Sequence, residues 1–494
     1  MTWDSIPALV HDAAARFGDA EALVDGDLRM SWRQLSDTVD ATAASVVAAG
    51  LQPGERAAIW APNVAEWIFA ALGVLAAGGV VVPINTRFKG DEAAYVLRTS
   101  RARMLFTIRG FLGTDYPALL AGEDVRDLER IVVFRDPSWD EFLAERKDEE
   151  RKVVADDVSD LIFTSGTTGR PKGVITTHGQ TLRVFDTWAS IVGLREGDRY
   201  LIVNPFFHTF GFKAGFLACL MKGATIVPEP VFDVNRVLQR IGEERISMLP
   251  GPPTLHQSIL DHPERDKHDL SSLRLCVTGA AAIPVELIRR LRDELTYENI
   301  VTAYGLTEST GVVSICRPGD DAETIATTSG CAIPDTEVRV APSGEILVRG
   351  YNVMAGYFEN AEATAEAIDA DGWLHTGDIG TMDERGYLKI TDRLKDMFIV
   401  GGFNAYPAEI ENVIASHPAV AQVAVVGAPD DRLGEVGVAF VVPRPGIDPD
   451  PDEVIAWARE RMANYKVPRR VIVVAGLPLN ASGKVLKHEL RKEV

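Results

Sequence analysis

Apolar residues recur along this chain first at helical and then at strand spacing, and the two patterns alternate for most of its length. Ala8 to Phe17 and Ser31 to Gly50 read as amphipathic helices, and Arg56 to Trp60 as a short strand. Glu66 to Ala77 follows as a helix, and Val80-Val81-Val82 as a strand. Further strands are expected at Leu161 to Phe163, Tyr200 to Asn204, Arg245 to Leu249, Leu273 to Val277 and from Val301. This alternation predicts an α/β domain with mostly parallel sheets. At Gly344 to Gly350 it gives way to a run of short strands, a β-subdomain. A last unit opens with a helix at Pro407, whose proline suits the first turn. Paired strands at Val420 to Val426 and Gly437 to Val442 come next, then a helix at Asp452 to Met462 and a strand at Val471 to Val474, the pattern of a small α+β domain.

With 494 residues, 46% of them hydrophobic, the chain exceeds one typical core. We expect a large N-terminal domain over residues 1–394 and a small one over 395–494. Ile68 to Ile84 is apolar for long enough to raise the question of a membrane span. Its Gly73, Gly78, Gly79 and Pro83, and the change from alanines to valines, predict a buried helix, a turn and a core strand instead, with no integral membrane association. The first residues, Met-Thr-Trp-Asp-Ser, lack the basic and apolar regions of a signal peptide. A net charge of −20 argues against binding nucleic acid or an anionic membrane, since both reward basic patches. The four cysteines lack metal-ligand spacing and read as reduced thiols of a cytoplasmic protein. Asp136 to Asp157 is charged and weakly patterned, and reads as an exposed helix with a solvated face.

The strongest chemical signal is Thr164-Ser165-Gly166-Thr167-Thr168-Gly169-Arg170-Pro171-Lys172-Gly173. Glycines let backbone N–H groups close on an anion, the hydroxyls add donors, and Lys172 adds charge, so the loop is suited to a polyphosphate. It is not a Walker loop, because Pro171 precedes the lysine and the apolar pair Val174-Ile175 follows it. A strand–loop–strand hairpin fits better than strand–loop–helix.

The whole string resembles the signature loop of the adenylate-forming superfamily, which includes acyl-CoA synthetases, firefly luciferase and peptide-synthetase adenylation domains. The resemblance runs over nearly the full chain and implies ATP, Mg²⁺ and coenzyme A as cofactors and substrates. Thr164, Ser165, Gly166, Thr167, Thr168, Gly169 and Lys172 would then surround the phosphates. Gly279, Ala280 and Ala281 would border adenine. In Ala303-Tyr304-Gly305-Leu306-Thr307-Glu308, Tyr304 would stack on the base beside Gly305, and Thr307 would bond the α-phosphate. Glu308, with Thr164 near it, would hold the magnesium ion, which asks for few protein carboxylates beside phosphate oxygens and water. Asp378 resembles the family aspartate that accepts from the ribose hydroxyls, and Arg393 the arginine near ribose and phosphate. Lys395 falls at the hinge, Gly401 and Gly402 at a tunnel wall for the thiol of CoA, and Lys484 at the adenylation lysine on a mobile small domain.

His208 stands among aromatics in Pro205-Phe206-Phe207-His208-Thr209-Phe210-Gly211-Phe212-Lys213. The resemblance makes it the residue that orients the acid's carboxylate, with a neutral imidazole donating one hydrogen bond. Phe207, Phe212 and Lys213 are assigned to the acyl pocket. Lys213, an ammonium among apolar neighbours, is expected either to reach water or to meet a polar oxygen of the acid. The implied activity is that of an acyl-CoA ligase. Asn204 to Gly215, Leu249 to Ala281 and Thr302 to Glu308 are similar to actinobacterial ligases of steroid breakdown, which activate a propanoate on a two-ring fragment. Medium-chain or aryl acids, and a carrier protein in place of CoA, are the alternatives. Homodimers are common for this kind of enzyme.

Overall fold

A computed structural model describes residues 3–165, 170–279, 283–393, 398–478, 485 and 487–494. The expectations for Gly166, Thr167, Thr168, Gly169, Ala280, Ala281, Lys395 and Lys484 lie outside the described residues, as do those for the side chains of Ser165 and Arg393. The architecture is mixed α/β with a large N-terminal part, a β-subdomain and a smaller C-terminal α+β part.

Local chemistry sets the early helices. Ser31 opens Trp32–Ala48 by accepting from the Gln34 N–H at 3.2 Å, while the Gln34 amide oxygen accepts from the Ser31 N–H at 2.8 Å, a reciprocal cap. Helix Ala65–Ala76 buries every residue except Glu66 and Ala76, and strand Val80–Pro83 is wholly buried. The long apolar run is therefore core, and among the described residues no helix is long and apolar enough to cross a membrane.

The central sheet has eight strands. Arg56–Trp60 runs parallel to Val80–Pro83 and to Ala102–Phe111, and Val80–Pro83 runs parallel to Val158–Ser165. Val158–Ser165 then pairs antiparallel with Pro171–Thr177, so the two strands form the hairpin that their apolar residues imply. A second sheet orders Arg199–Ile202, Thr225–Pro228, Glu21–Asp25 and Leu28–Ser31. Parallel bridges from Met248 to Tyr200 and to Leu275 link it to Leu275–Thr278 and Asn299–Tyr304. The strand expected at Arg245 to Leu249 is reduced to those bridges, because Arg245 takes a φ of 49° and breaks the extension. Asp136 to Asp157 also differs from expectation. Its helix Pro137–Ala144 buries Trp139 and Phe142 against Phe106, so only part of its surface is solvated. Strands Thr336–Val340, Glu345–Gly350, Leu374–Met382 and Leu388–Arg393 make the antiparallel β-subdomain. Beyond residue 397, Phe398, Ile410, Val425, Val441 and Val454 belong to a core of their own.

Lys213 departs from both expectations. It is fully buried in a π-helical turn, Phe212–Leu217, with Nζ 2.9 Å from Asp160 Oδ1. Asp160 also accepts from Thr176 Oγ1 at 3.1 Å and from Ser159 Oγ at 2.6 Å, so both carboxylate oxygens are satisfied. Burial draws the ammonium below its ordinary pKa and Asp160 opposes that shift. An ammonium in this setting needs a fixed countercharge, and the hairpin strand supplies it. Lys213→Met should destabilise the fold by about 3–5 kcal/mol, because it leaves Asp160 buried and uncompensated. The pair of changes Lys213→Met and Asp160→Asn should recover most of that loss in denaturant melts. Two additive losses would show that the ion pair is not the coupling.

Candidate active site

One cavity of about 2030 Å³ collects most of the singled-out residues that are described, where the sheets, the β-subdomain and the C-terminal part meet. Parallel strands converge on it with their carboxyl ends, where ligands of open α/β sheets bind.

At the hairpin, Thr164 and Lys172 are direct cross-strand partners, and both line the cavity. Thr164 Oγ1 donates to Glu308 Oε1 at 3.1 Å, and the Tyr357 hydroxyl donates to the same oxygen at 3.0 Å. Burial, then the Glu308 charge, raise the Tyr357 pKa well above its ordinary value, so the phenol keeps its proton and remains a donor. Lys172 Nζ lies 5.0 Å over the Tyr357 ring. Nothing in the sequence pointed to Tyr357. It arrives on a two-residue strand, Gly356–Tyr357, paired with Val174, and two residues carry no periodicity.

Strand Asn299–Tyr304 delivers Tyr304, whose hydroxyl donates to Asp378 Oδ2 at 2.6 Å. Asp378 is 3% exposed and pairs across the β-subdomain with Arg393 in backbone register. Gly305 is required by close approach: a Cβ there would lie 2.2 Å from the Gly311 carbonyl oxygen. Thr307 and Glu308 form the 3₁₀ turn Thr307–Ser309, and Gly279 closes the neighbouring strand Leu275–Thr278, all on the cavity wall. Among the described residues no group of three or more His, Cys, Asp or Glu side chains could hold a metal alone. One carboxylate beside the Thr164 hydroxyl fits magnesium, which takes its remaining ligands from phosphates and water.

His208 is set by residues distant in sequence. Asn63 donates to the Ile202 and Asn204 carbonyls at 3.0 and 2.9 Å and accepts from the Phe206 N–H at 2.8 Å, clamping the loop before the histidine. Trp67 packs beneath it on Phe206 and Phe212 with ring centroids 5.5 and 5.4 Å away. His208 Nδ1 accepts from the Phe210 N–H at 3.3 Å, which leaves the proton on Nε2. The ring is exposed to the cavity, and the protein walls around that cavity lower its pKa below the ordinary histidine value. It is therefore a neutral donor at pH 7. Phe207 is on the cavity wall, whereas Phe212 turns onto Trp67 and Lys213 onto Asp160, away from it.

The C-terminal part closes the cavity with a two-residue turn between strands Phe398–Val400 and Phe403–Ala405. Gly401 and Gly402 have φ of 56° and 83°, the left-handed pair of a type I′ hairpin, and both line the cavity.

Residues 10–358 match the family described as AMP-binding enzyme, and residues 409–484 the AMP-binding enzyme C-terminal domain. The chain is 50% identical over 509 residues to the 7a-methyl-1,5-dioxo-octahydroindenyl propanoyl:CoA ligase of Rhodococcus jostii, covering 99% of this chain and 98% of that protein. It is also 50% identical over 499 residues to the ligase of the same name from Mycobacterium tuberculosis, with 99% and 98% covered. Among solved structures, a double mutant of o-succinylbenzoate CoA synthetase from Bacillus subtilis, bound with the product analogue OSB-NCoA, superposes with a TM-score of 0.86. Identity is 30%, with 98% of both chains covered. The same synthetase in complex with its acyl-adenylate intermediate gives 0.70 at 30% identity, covering 98% of this chain and 97% of that one.

Asp378→Ala should weaken AMP binding by about tenfold or more, and Tyr304→Phe by about fivefold, the scale of a charged and a neutral hydrogen bond. Titration calorimetry checks both. Unchanged affinity in both variants would remove this pair from the nucleotide pocket.

Proposed function

The chain belongs to the AMP-binding enzyme family as an ATP-dependent acyl-CoA ligase, and we propose that the acid it activates is a propanoate side chain on a steroid-derived two-ring diketone. What carries the substrate assignment is 50% identity over almost the whole chain to ligases named for that acid. The cavity supports it, with about 2030 Å³ of space and Phe185, Trp188 and Phe207 on its wall for an apolar ring system. The Lys213 ammonium lends no support, since Asp160 holds it.

In the first half-reaction a carboxylate oxygen attacks the α-phosphorus of ATP and pyrophosphate leaves, giving acyl-AMP. In the second, the thiol of CoA attacks the acyl carbon and AMP leaves. Neither step needs a nucleophile from the protein, so catalysis is positioning and charge neutralisation. The Nε2–H of His208 holds one carboxylate oxygen and leaves the other free to attack. Tyr304 and Asp378 hold the nucleoside, with Gly279, Gly305 and Thr307 beside it. Thr164 and Lys172 face the phosphates, with Ser165, Arg393 and the rest of the loop completing the cradle. Magnesium held by Glu308 and Thr164 would offset polyphosphate charge. Lys484 adds a positive charge from residues 395–494, which pivot near Lys395 against residues 1–394. In the arrangement described here Gly401 and Gly402 wall the cavity, and their lack of a Cβ suits a narrow passage for the thiol. The better superposition on the synthetase with a CoA product analogue supports reading this as the thioester-forming arrangement. We place the enzyme in the cytoplasm.

A panel of acids incubated with ATP, Mg²⁺ and free CoA, scored by thioester mass spectrometry, tests the substrate. The ring propanoate should exceed medium-chain and aryl acids in kcat/KM by at least about tenfold, the scale of a few filled apolar contacts. A higher value for an aryl or medium-chain acid, or turnover only with a carrier protein, would replace the reading. Lys484→Ala should slow acyl-AMP formation by roughly several hundredfold, the scale of deleting a transition-state charge contact, yet still convert supplied acyl-AMP to thioester. Equal loss of both half-reactions would count against alternation of the two parts.

A further inference from the structure

Lys466 belongs to the small domain, but its ammonium is shared between carboxylates of both domains. Nζ lies 2.7 Å from Glu92 Oε1 on helix Gly90–Ser100 and 2.5 Å from Glu409 Oε1 on helix Pro407–Ala415. The lysine is 2% exposed and each carboxylate 12%. Nζ also sits 4.4 Å over the Phe88 ring. Around it, Arg87 covers the Phe403 ring at 4.2 Å, and Phe403 stacks on Tyr465 at 4.9 Å. Asn85 reaches the Tyr465 hydroxyl at 3.5 Å. One continuous contact thus joins the stretch from Asn85 to Glu92 to the strand that begins directly after Gly401 and Gly402.

Two properties make this contact specific to one arrangement. Glu92 is fixed to the large domain, because its second oxygen accepts from the Lys89 N–H at 2.9 Å as part of a helix cap. Any swing of the small domain therefore parts Glu92 from Lys466, while Lys466 and Glu409 travel together. The triad is also incompletely neutralised. One ammonium serves two carboxylates, Glu409 Oε2 is buried with no hydrogen-bond partner among the described residues, and Glu92 is raised above the usual carboxylate range by burial. A buried pair of this kind holds geometry more than it adds stability, which suits a contact that must open in every cycle.

We propose that Glu92 and Lys466 form a latch across the domain interface that positions the Gly401-Gly402 turn for thioester formation and plays no part in acyl-AMP formation. It rests on reading the present arrangement as the thioester-forming one. Both are positioning residues, acting through the turn and not on the reacting atoms.

Glu92→Gln is the discriminating variant, because a glutamine keeps the helix cap and leaves the Lys466–Glu409 pair inside the small domain. The two half-reactions are measured apart, as pyrophosphate release without CoA and as single-turnover conversion of supplied acyl-AMP. Glu92→Gln should slow the second by about tenfold and leave the first within about twofold, the scale of a modest shift between two states. Lys466→Met should do the same, and Lys466→Arg should restore part of the rate. If Lys466→Met does not fold, Glu92→Gln carries the test alone. Parallel loss in both half-reactions, or no change in either, would overturn the latch. If the wild type turned over no acid at all, the functional reading would fall first. Solution scattering would then decide the latch separately: it should show the domain arrangement of Glu92→Gln displaced from wild type, and identical curves would refute it.

Discussion

Two charges that cannot reach water tie the halves of this active site together. Asp160 lies in strand Val158–Ser165, which carries Thr164, and Lys213 lies five residues beyond His208 in the segment that presents its ring to the cavity. Each would be costly alone in the core, and together, with Ser159 and Thr176 filling the remaining oxygen positions, they hold the two segments at one spacing. Asn63 does the same from another side by clamping the loop that begins at Asn204. Side chains on the cavity wall are thus positioned by fixed polar contacts between segments distant in sequence, as suits an enzyme that works by placement.

The same logic extends to Glu308. A lone carboxylate on the cavity wall would be free to swing without neighbours. Thr164 and Tyr357 both donate to one of its oxygens, and their backbones come from the hairpin strand and from a short strand at the sheet edge. Tyr304 and Asp378 repeat the arrangement elsewhere on the cavity wall, with a phenol orienting a buried acid that belongs to the β-subdomain. The cavity lies where these units meet, and the glycine turn at residues 401 and 402 closes it from the C-terminal part.

Much of this was legible before any coordinates. The hairpin of Val158–Ser165 and Pro171–Thr177 followed from Pro171 before the lysine, unlike a Walker loop, and from the apolar pair Val174-Ile175 after it, and the helix–turn–strand at Ile68 to Ile84 followed from its glycines and valines. The register that pairs Thr164 with Lys172 came only from the structure. What escaped were residues whose role comes from contact and not from pattern. Tyr357 carries no periodic signal. Lys213 reads from its neighbours as an oddity to be sent to solvent or to substrate, because Asp160 is more than fifty positions away and nothing in either stretch names the other. Phe212, in a string of aromatics, cannot be told from Phe207 by sequence, yet Trp67 claims one and the cavity the other.

By itself, then, the amino-acid order determined the elements, the division into a large α/β and a small α+β part, and the chemical type of the site. Those depend on short-range spacing, turn residues and local composition. Only the tertiary structure decided which polar groups share a proton or a charge: Glu308 with Thr164 and Tyr357, Tyr304 with Asp378, Lys213 with Asp160, and Lys466 with Glu92. The physical reason is that burial makes pairing obligatory without specifying the partner, and the partner is whichever opposite group the packing of distant strands and helices brings within about 3 Å.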